Sequence, residues 1–214
     1  MNITKILENA REVIEKDYQI REQILPIARE TIRRSSLAIR AIHAKNYEKA
    51  ESEIKTALQL IRNAEEIISQ SEFLLASSIL DTPYQELTEA INLRSILQKR
   101  ELVTNKELKF PLRPYLLGLA DVVGELRRYI LDSMRNGDFS DCDEILNIMD
   151  TIYEELNSLD YPNALIPNLR RKCDMCRGVI EKTRGELANA IHREKLAYQM
   201  KELMSHLDKI NTDK

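Results

Sequence analysis

Two carboxylates stand where apolar residues are expected. The segment Tyr115-Leu116-Leu117-Gly118-Leu119-Ala120-Asp121-Val122-Val123-Gly124-Glu125-Leu126 is apolar apart from Asp121 and Glu125. On a helix these are positions i and i+4, so they share one face, and hydrophobic neighbours flank it. Like charges at this spacing repel, and burying either is costly unless something compensates. A divalent cation would compensate both at once. Gly118 and Gly124 lie in the same helix, where each costs about 1 kcal/mol relative to Ala. Their presence implies close approach by another backbone or by a ligand. One helix earlier, Gln85-Glu86-Leu87-Thr88-Glu89-Ala90-Ile91 repeats the pattern. Glu86 and Glu89 are i and i+3, and they share a face with Ala90, Leu93 and Leu97. Short connectors favour antiparallel neighbours, so two such helices could bring four carboxylates together. Oxygen-only ligation suits Mg2+ or Mn2+ rather than Zn2+. Spacing alone leaves a second reading open, because charge pairs on helices more often form solvated faces.

Other residues offer less. Cys173-Asp174-Met175-Cys176 is a single C-x-x-C in the middle of a helical stretch, with no second pair; two small core-facing thiols account for it better than zinc or redox chemistry. His43, His192 and His206 are not preceded three residues earlier by Glu, so the Glu-x-x-His signature of di-iron bundles is missing. No Ser/His/Asp grouping and no phosphate-cradling glycine loop is visible. Basic residues cluster locally. Arg29, Arg33 and Arg40 fall near one stripe of the first helix with Arg34 adjacent, and Lys99-Arg100, Arg127-Arg128 and Arg170-Arg171-Lys172 form further groups. They read either as ordinary solvated charge or as phosphate contacts beside the carboxylates.

The elements that must position these residues are helices. Of 214 residues only 5 are Gly and 6 Pro, there is no Trp, and hydrophobic (43 %) and charged (31 %) residues interleave with helical periodicity. This composition excludes collagen-like and proline-rich classes and disfavours a β-sandwich, with its many Gly/Pro turns. The periodicity predicts one all-α domain, a bundle of six or seven helices over residues 1–214, with the last eight or so residues frayed. The first helix covers about 3–44, with Pro26 as a kink or break. Asn46 caps the second, to about 70, on an apolar face of Ile54, Ala57, Leu58, Ile61, Ala64 and Ile68. A turn or two follows over 73–80, and Asp81-Thr82-Pro83 supplies N-cap candidates and a Pro at the first helical position for a helix to about 99. After a connector at 104–111, a helix from Pro114 stops at Asn136-Gly137. Ser140 caps the next, to about 158, and after the connector at 160–167 the last runs from about 169 towards 206. Lys+Arg 32 against Asp+Glu 35 leaves a net charge of −3, so the whole chain has no general attraction for nucleic acid or membrane and any basic surface is local. Three clustered cysteines form no disulfide framework, the charged N-terminal stretch has no signal-peptide core, and no apolar run spans a bilayer. A reduced, cytoplasmic protein is expected.

The stretch Pro114–Arg128 resembles the YLLGxADxxGEL segment of the translin and translin-associated factor X family, in its X-type members, and continues similarly through Asn136-Gly137-Asp138. Gln85–Ala90 is similar to the family's QEYVEA segment. Arg29-Glu30, Ile42-His43 and Ser52–Lys55 also fit, and the similarity extends over about 20–190. The resemblance implies an all-α fold of about seven helices that assembles into a closed homo-oligomer, an octamer, around single-stranded RNA, with single-stranded DNA as an alternative ligand. It further implies a Mg2+-dependent endoribonuclease, in which the acids of QExxEA and ADxxGEL fall on Glu86, Glu89, Asp121 and Glu125 as catalytic and metal-holding residues. Translin itself binds nucleic acid and lacks this set. The basic N-terminal extension of eukaryotic X-type chains has no counterpart here and the connector before Pro114 is short, which implies a compact, self-sufficient form like that of archaeal relatives. The expected function is Mg2+-dependent cleavage of single-stranded RNA, Mn2+ being able to substitute, with Arg29, Arg33, Arg34 and Arg40 neutralising RNA phosphates. The competing expectations are a translin-like binding protein without catalysis and a helical scaffold with no RNA affinity.

Overall fold

The computed structural model describes residues 3–212. Among them are eight helices and no strand: α1 (Ile3–His43), α2 (Tyr47–Ile68), α3 (Glu72–Leu75), α4 (Asp81–Lys99), α5 (Asn105–Leu108), α6 (Leu112–Arg135), α7 (Cys142–Asn157) and α8 (Leu169–Thr212). The all-α expectation holds; the two one-turn helices, α3 and α5, raise the count above seven. None of the described helices is long and apolar enough to cross a membrane. The chain forms two compact units whose boundary falls inside α6. The first comprises residues 1–122 and 163–169, the second 123–162 and 170–214.

In the first unit α1 packs along α2 and α4. α1 buries Ile20, Ile24, Ala28, Thr31, Ser35, Ala38 and Ile42, a stripe of three- and four-residue steps that turns one face inward. Its two buried hydroxyls are satisfied within the helix: Thr31 Oγ1 donates to the Ile27 carbonyl at 2.9 Å and Ser35 Oγ to that of Thr31 at 3.0 Å. Pro26 does not break α1. A mid-helix proline costs about 3 kcal/mol, and burial of Ile24 and Ala28 on either side of it opposes that cost. The first four turns of α1 carry a different stripe, with Ile6, Leu7, Val13, Ile14 and Tyr18 all exposed.

Several helix ends follow the local rules. The Asn46 side chain accepts from Lys49 N at 3.0 Å, and five of the six residues expected on the α2 apolar face are buried; Leu58 is half-exposed. α6 stops at Gly137 (φ +70°), where Asp138 N donates to the Ser133 carbonyl and Gly137 N to that of Met134, each at 3.0 Å. This is the paired hydrogen bonding of a left-handed glycine cap.

Others differ from the sequence expectation. Asp81 is not a cap: Leu80 holds that position without a side-chain bond, and Asp81 lies in the first turn paired with Arg113. Ser140 is not the cap of α7 either. Its hydroxyl turns to the Asp138 carboxylate at 2.7 Å, leaving Asp141 at the cap position. The 104–111 connector contains α5, closed by a reciprocal box in which Thr104 Oγ1 accepts from Glu107 N and the Glu107 carboxylate accepts from Thr104 N. Finally, α8 runs to Thr212 rather than ending near His206. The last two residues of the expected frayed tail lie outside the described ones.

Candidate active site

In the first unit α4 and α6 come into backbone contact at Gly118. A Cβ added there would stand 2.5 Å from the Gln85 carbonyl oxygen and 2.8 Å from Thr88 Cβ, closer than atoms can pack. The expected close approach at this glycine is therefore real, and its partner is the α4 backbone. Gly124 differs: an added Cβ would meet nothing within 4 Å, so no close approach explains that residue.

This contact sets the register of the acids. Gln85, whose carbonyl lies against Gly118, extends its side chain so that Nε2 donates to Asp121 Oδ2 at 2.6 Å. Glu86 follows Gln85 directly and Glu89 lies one turn further along α4; both are half-buried, as is Asp121. Glu125 stands one turn beyond Asp121 on α6, in the part of that helix assigned to the second unit, 24 % exposed and 3.5 Å from Arg128. Half-burial on otherwise apolar faces is what distinguishes these acids from a solvated charge stripe. Among the described residues no three His, Cys, Asp or Glu side chains are grouped as a ready-made metal site. The residues fit a hard cation in donor type, all carboxylate oxygens, and Gln85 ties the α4 segment bearing Glu86 and Glu89 to Asp121 on α6.

The arginines of α1 are engaged by acids. Arg33 grips Glu30 through two bonds of 2.7 Å, Arg34 Nε donates to the same carboxylate at 2.7 Å, and Arg34 Nη1 reaches Glu53 on α2 at 2.9 Å. Arg29 and Arg40 are exposed on the same helix, and Arg40 Nε caps the Ser36 carbonyl. Of the other clusters, Arg100 turns onto the carbonyls of Ile96 and Leu97, and Arg127 pairs with Thr183 and Glu186. These serve the fold. Arg170 and Arg171 remain exposed.

The hydrogen bonds from Arg33 and Arg34 hold the Glu30 carboxyl at about 2, well below its ordinary 4.5. A carboxylate depressed in the folded state adds stability that is complete above the unfolded value and is lost as pH falls through the folded one. The stability difference between the wild-type chain and Glu30→Gln should therefore be constant from pH 7 to about 5. It should then shrink between about pH 4.5 and 2. Thermal unfolding of both proteins across that range checks this; a difference independent of pH would show that the Glu30 pairing does not contribute.

The cysteines are buried thiols. Burial, with Asp138, Asp143 and Asp141 nearby, pushes Cys142 up to about 11, and burial likewise raises Cys173. Cys176 is buried beside it in sequence. Raised thiols are poor nucleophiles.

Gln85 is the residue of this site to which sequence reasoning assigned no role. It was visible as the first residue of the QExxEA segment, but its partner lies 36 residues away.

An all-helical chain with a glycine-mediated helix contact bearing acids defines a class that comparison with known proteins narrows. Residues 19–184 match the Translin family. A protein of Methanocaldococcus jannaschii, itself uncharacterised, is 35 % identical over 184 residues, 85 % of this chain and 81 % of that one. AfC3PO, solved as a complex with duplex RNA, superposes with a TM-score of 0.80 at 33 % identity, over 87 % of this chain and 97 % of that one. Apo-NeC3PO superposes with a TM-score of 0.75 over 88 % and 97 %; at 20 % identity it shows the shared fold alone. The chain belongs to the Translin family.

Proposed function

We propose that this chain is an X-type member of the family: a Mg2+-dependent endoribonuclease acting on single-stranded RNA as a closed homo-oligomer. One observation carries the reading, the half-buried Glu86, Glu89 and Asp121 on two helices joined by the Gln85–Asp121 bond. A protein that only gripped phosphates would gain nothing from concentrating negative charge there. Glu86, Glu89, Asp121 and Glu125 would hold the cation, with Mn2+ able to replace Mg2+. The metal supplies positive charge at a scissile phosphate and acidity to a water molecule. The chain's own groups do the rest: one carboxylate orients the attacking water or takes its proton, and arginines neutralise the flanking phosphates.

RNA as the ligand is supported by AfC3PO, which was solved with a duplex RNA. Assembly is supported by the exposed apolar stripe of α1, since a soluble monomer rarely leaves such residues contiguous and uncovered. An octamer would repeat Arg29, Arg33, Arg34 and Arg40 around an inner wall and multiply the phosphate contacts available to a chain of net charge −3. Glu30 tempers this set by engaging Arg33 and Arg34.

The reading is tested by incubating the protein with end-labelled single-stranded and duplex RNA, in Mg2+ and in EDTA. Cleavage of the single strand in Mg2+ alone is the expected result, and binding without cleavage under every condition would make the protein a translin-like binder. For the arginines, Arg33→Ala/Arg34→Ala should flatten the dependence of RNA affinity on salt while light scattering shows an unchanged mass. An unaltered salt slope would remove them from the RNA contact.

A further inference from the structure

We infer that Gln85 is a positioning residue for Asp121: its amide fixes the orientation of a carboxylate that would take part in holding the cation. The inference rests on the metal-dependent reading above and assigns a role that the four acids do not themselves supply.

Three observations support it. The first is the bond itself, 2.6 Å from Gln85 Nε2 to Asp121 Oδ2. A carboxylate accepts from an N–H and would be repelled by the amide oxygen, so this orientation of the amide is the chemically sound one. The second is that Gln85 is anchored at its main chain. Its carbonyl oxygen lies where a Cβ on residue 118 would have to go, and Thr88, one turn on, packs fully buried against the same glycine. Asp121 lies one turn beyond Gly118 on α6. The helix contact that fixes Gln85 thus also fixes the distance it must span. The third is chemical type. Next to Glu86, and one turn from Glu89, a cationic donor would compete with a metal for the carboxylates and an acid would add to the repulsion. A neutral amide donates a hydrogen bond and does neither.

Ligand carboxylates held in this way bind metal more tightly because less orientational freedom is lost on binding, and partners of this kind typically contribute about 10–100-fold in affinity.

The test is a double-mutant cycle on Mn2+ affinity, measured by calorimetry in the absence of RNA on the full-length protein, with thermal unfolding as the control for folding. Gln85→Leu, of similar bulk but without the donor, should weaken Mn2+ binding about 10–100-fold. Gln85→Glu should weaken it as well, unless its own carboxylate enters the metal's coordination, in which case affinity rises and the positioning role is overturned. In an Asp121→Asn background, Gln85→Leu should cost little further, because the group it positions no longer ligates. A residue acting only through general stability would instead weaken binding equally in both backgrounds. Cleavage should follow, with kcat falling more than KM rises. Unchanged Mn2+ affinity in Gln85→Leu, beside a wild-type protein that binds Mn2+, overturns the inference and leaves the metal reading standing. Absence of Mn2+ binding by the wild-type protein overturns both.

Discussion

If the proposed function holds, Asp121→Asn and Glu89→Gln should each reduce RNA cleavage by at least about 100-fold while leaving a folded protein whose mass in solution matches the wild type. The magnitude follows from chemistry: each change keeps the side chain's size but removes a negative charge from the set proposed to hold the cation. Substitutions one shell further out already cost about 10–100-fold. Folding survives because neither residue is fully buried, and an Asn at 121 still offers an oxygen to Gln85. Stability should if anything increase. Removing one of two like charges at i and i+4 on α6 relieves repulsion of roughly a few tenths of a kcal/mol. Single-turnover cleavage assays with thermal unfolding of each variant measure both effects. A variant that loses its fold along with its activity would mean that these acids build the structure rather than the chemistry.

Gly118→Ala should force α4 and α6 apart where their backbones meet. The new Cβ would stand 2.5 Å from the Gln85 carbonyl and 2.8 Å from Thr88 Cβ, and neither atom is the end of a flexible side chain. The helices must separate, at a cost of about 1–3 kcal/mol for overpacking. This is partly offset by about 1 kcal/mol of helix propensity gained on replacing glycine. Because the same contact holds Gln85 against Asp121, activity should fall more steeply than stability. Gly124→Ala is the control. With nothing within 4 Å of the added methyl, it gains propensity without a clash and should raise the melting temperature. Denaturant unfolding of both variants checks the pair, and equal effects at the two glycines would contradict the backbone contact.

Why the two glycines differ shows where sequence reading stops. Both interrupt the same helical pattern at the same propensity cost, so both imply close approach, yet an added Cβ meets a neighbour at Gly118 and none at Gly124. Helical position is local; what lies across from it is not. The all-α class, the Asn46 cap, the Gly137 stop and the apolar face of α2 are local in this sense and were legible. So were the acids on α4 and α6, because a charge in an apolar run is conspicuous whatever packs on it. The misplaced starts of α4 and α7 have a tertiary or competing local cause: Asp81 leaves the cap to pair with Arg113, 32 residues on, and Ser140 turns to Asp138. The box at α5 was readable from Thr104 and Glu107 alone, being an S/T-x-x-E pattern, and so was the engagement of Arg33 and Arg34 by Glu30 at i+3 and i+4. The role of Gln85 was not, since it depends on how α4 and α6 align.

The most direct test of the account replaces Glu86 and Glu89 by Gln, Asp121 by Asn and Glu125 by Gln in one protein and assays it on end-labelled single-stranded RNA with Mg2+. The wild-type chain should cleave the RNA in Mg2+ and stop in EDTA, while the quadruple variant, folded and still able to bind RNA, should give no product above the EDTA control. Cleavage by that variant at the wild-type rate would contradict the claim that these four carboxylates are the catalytic centre.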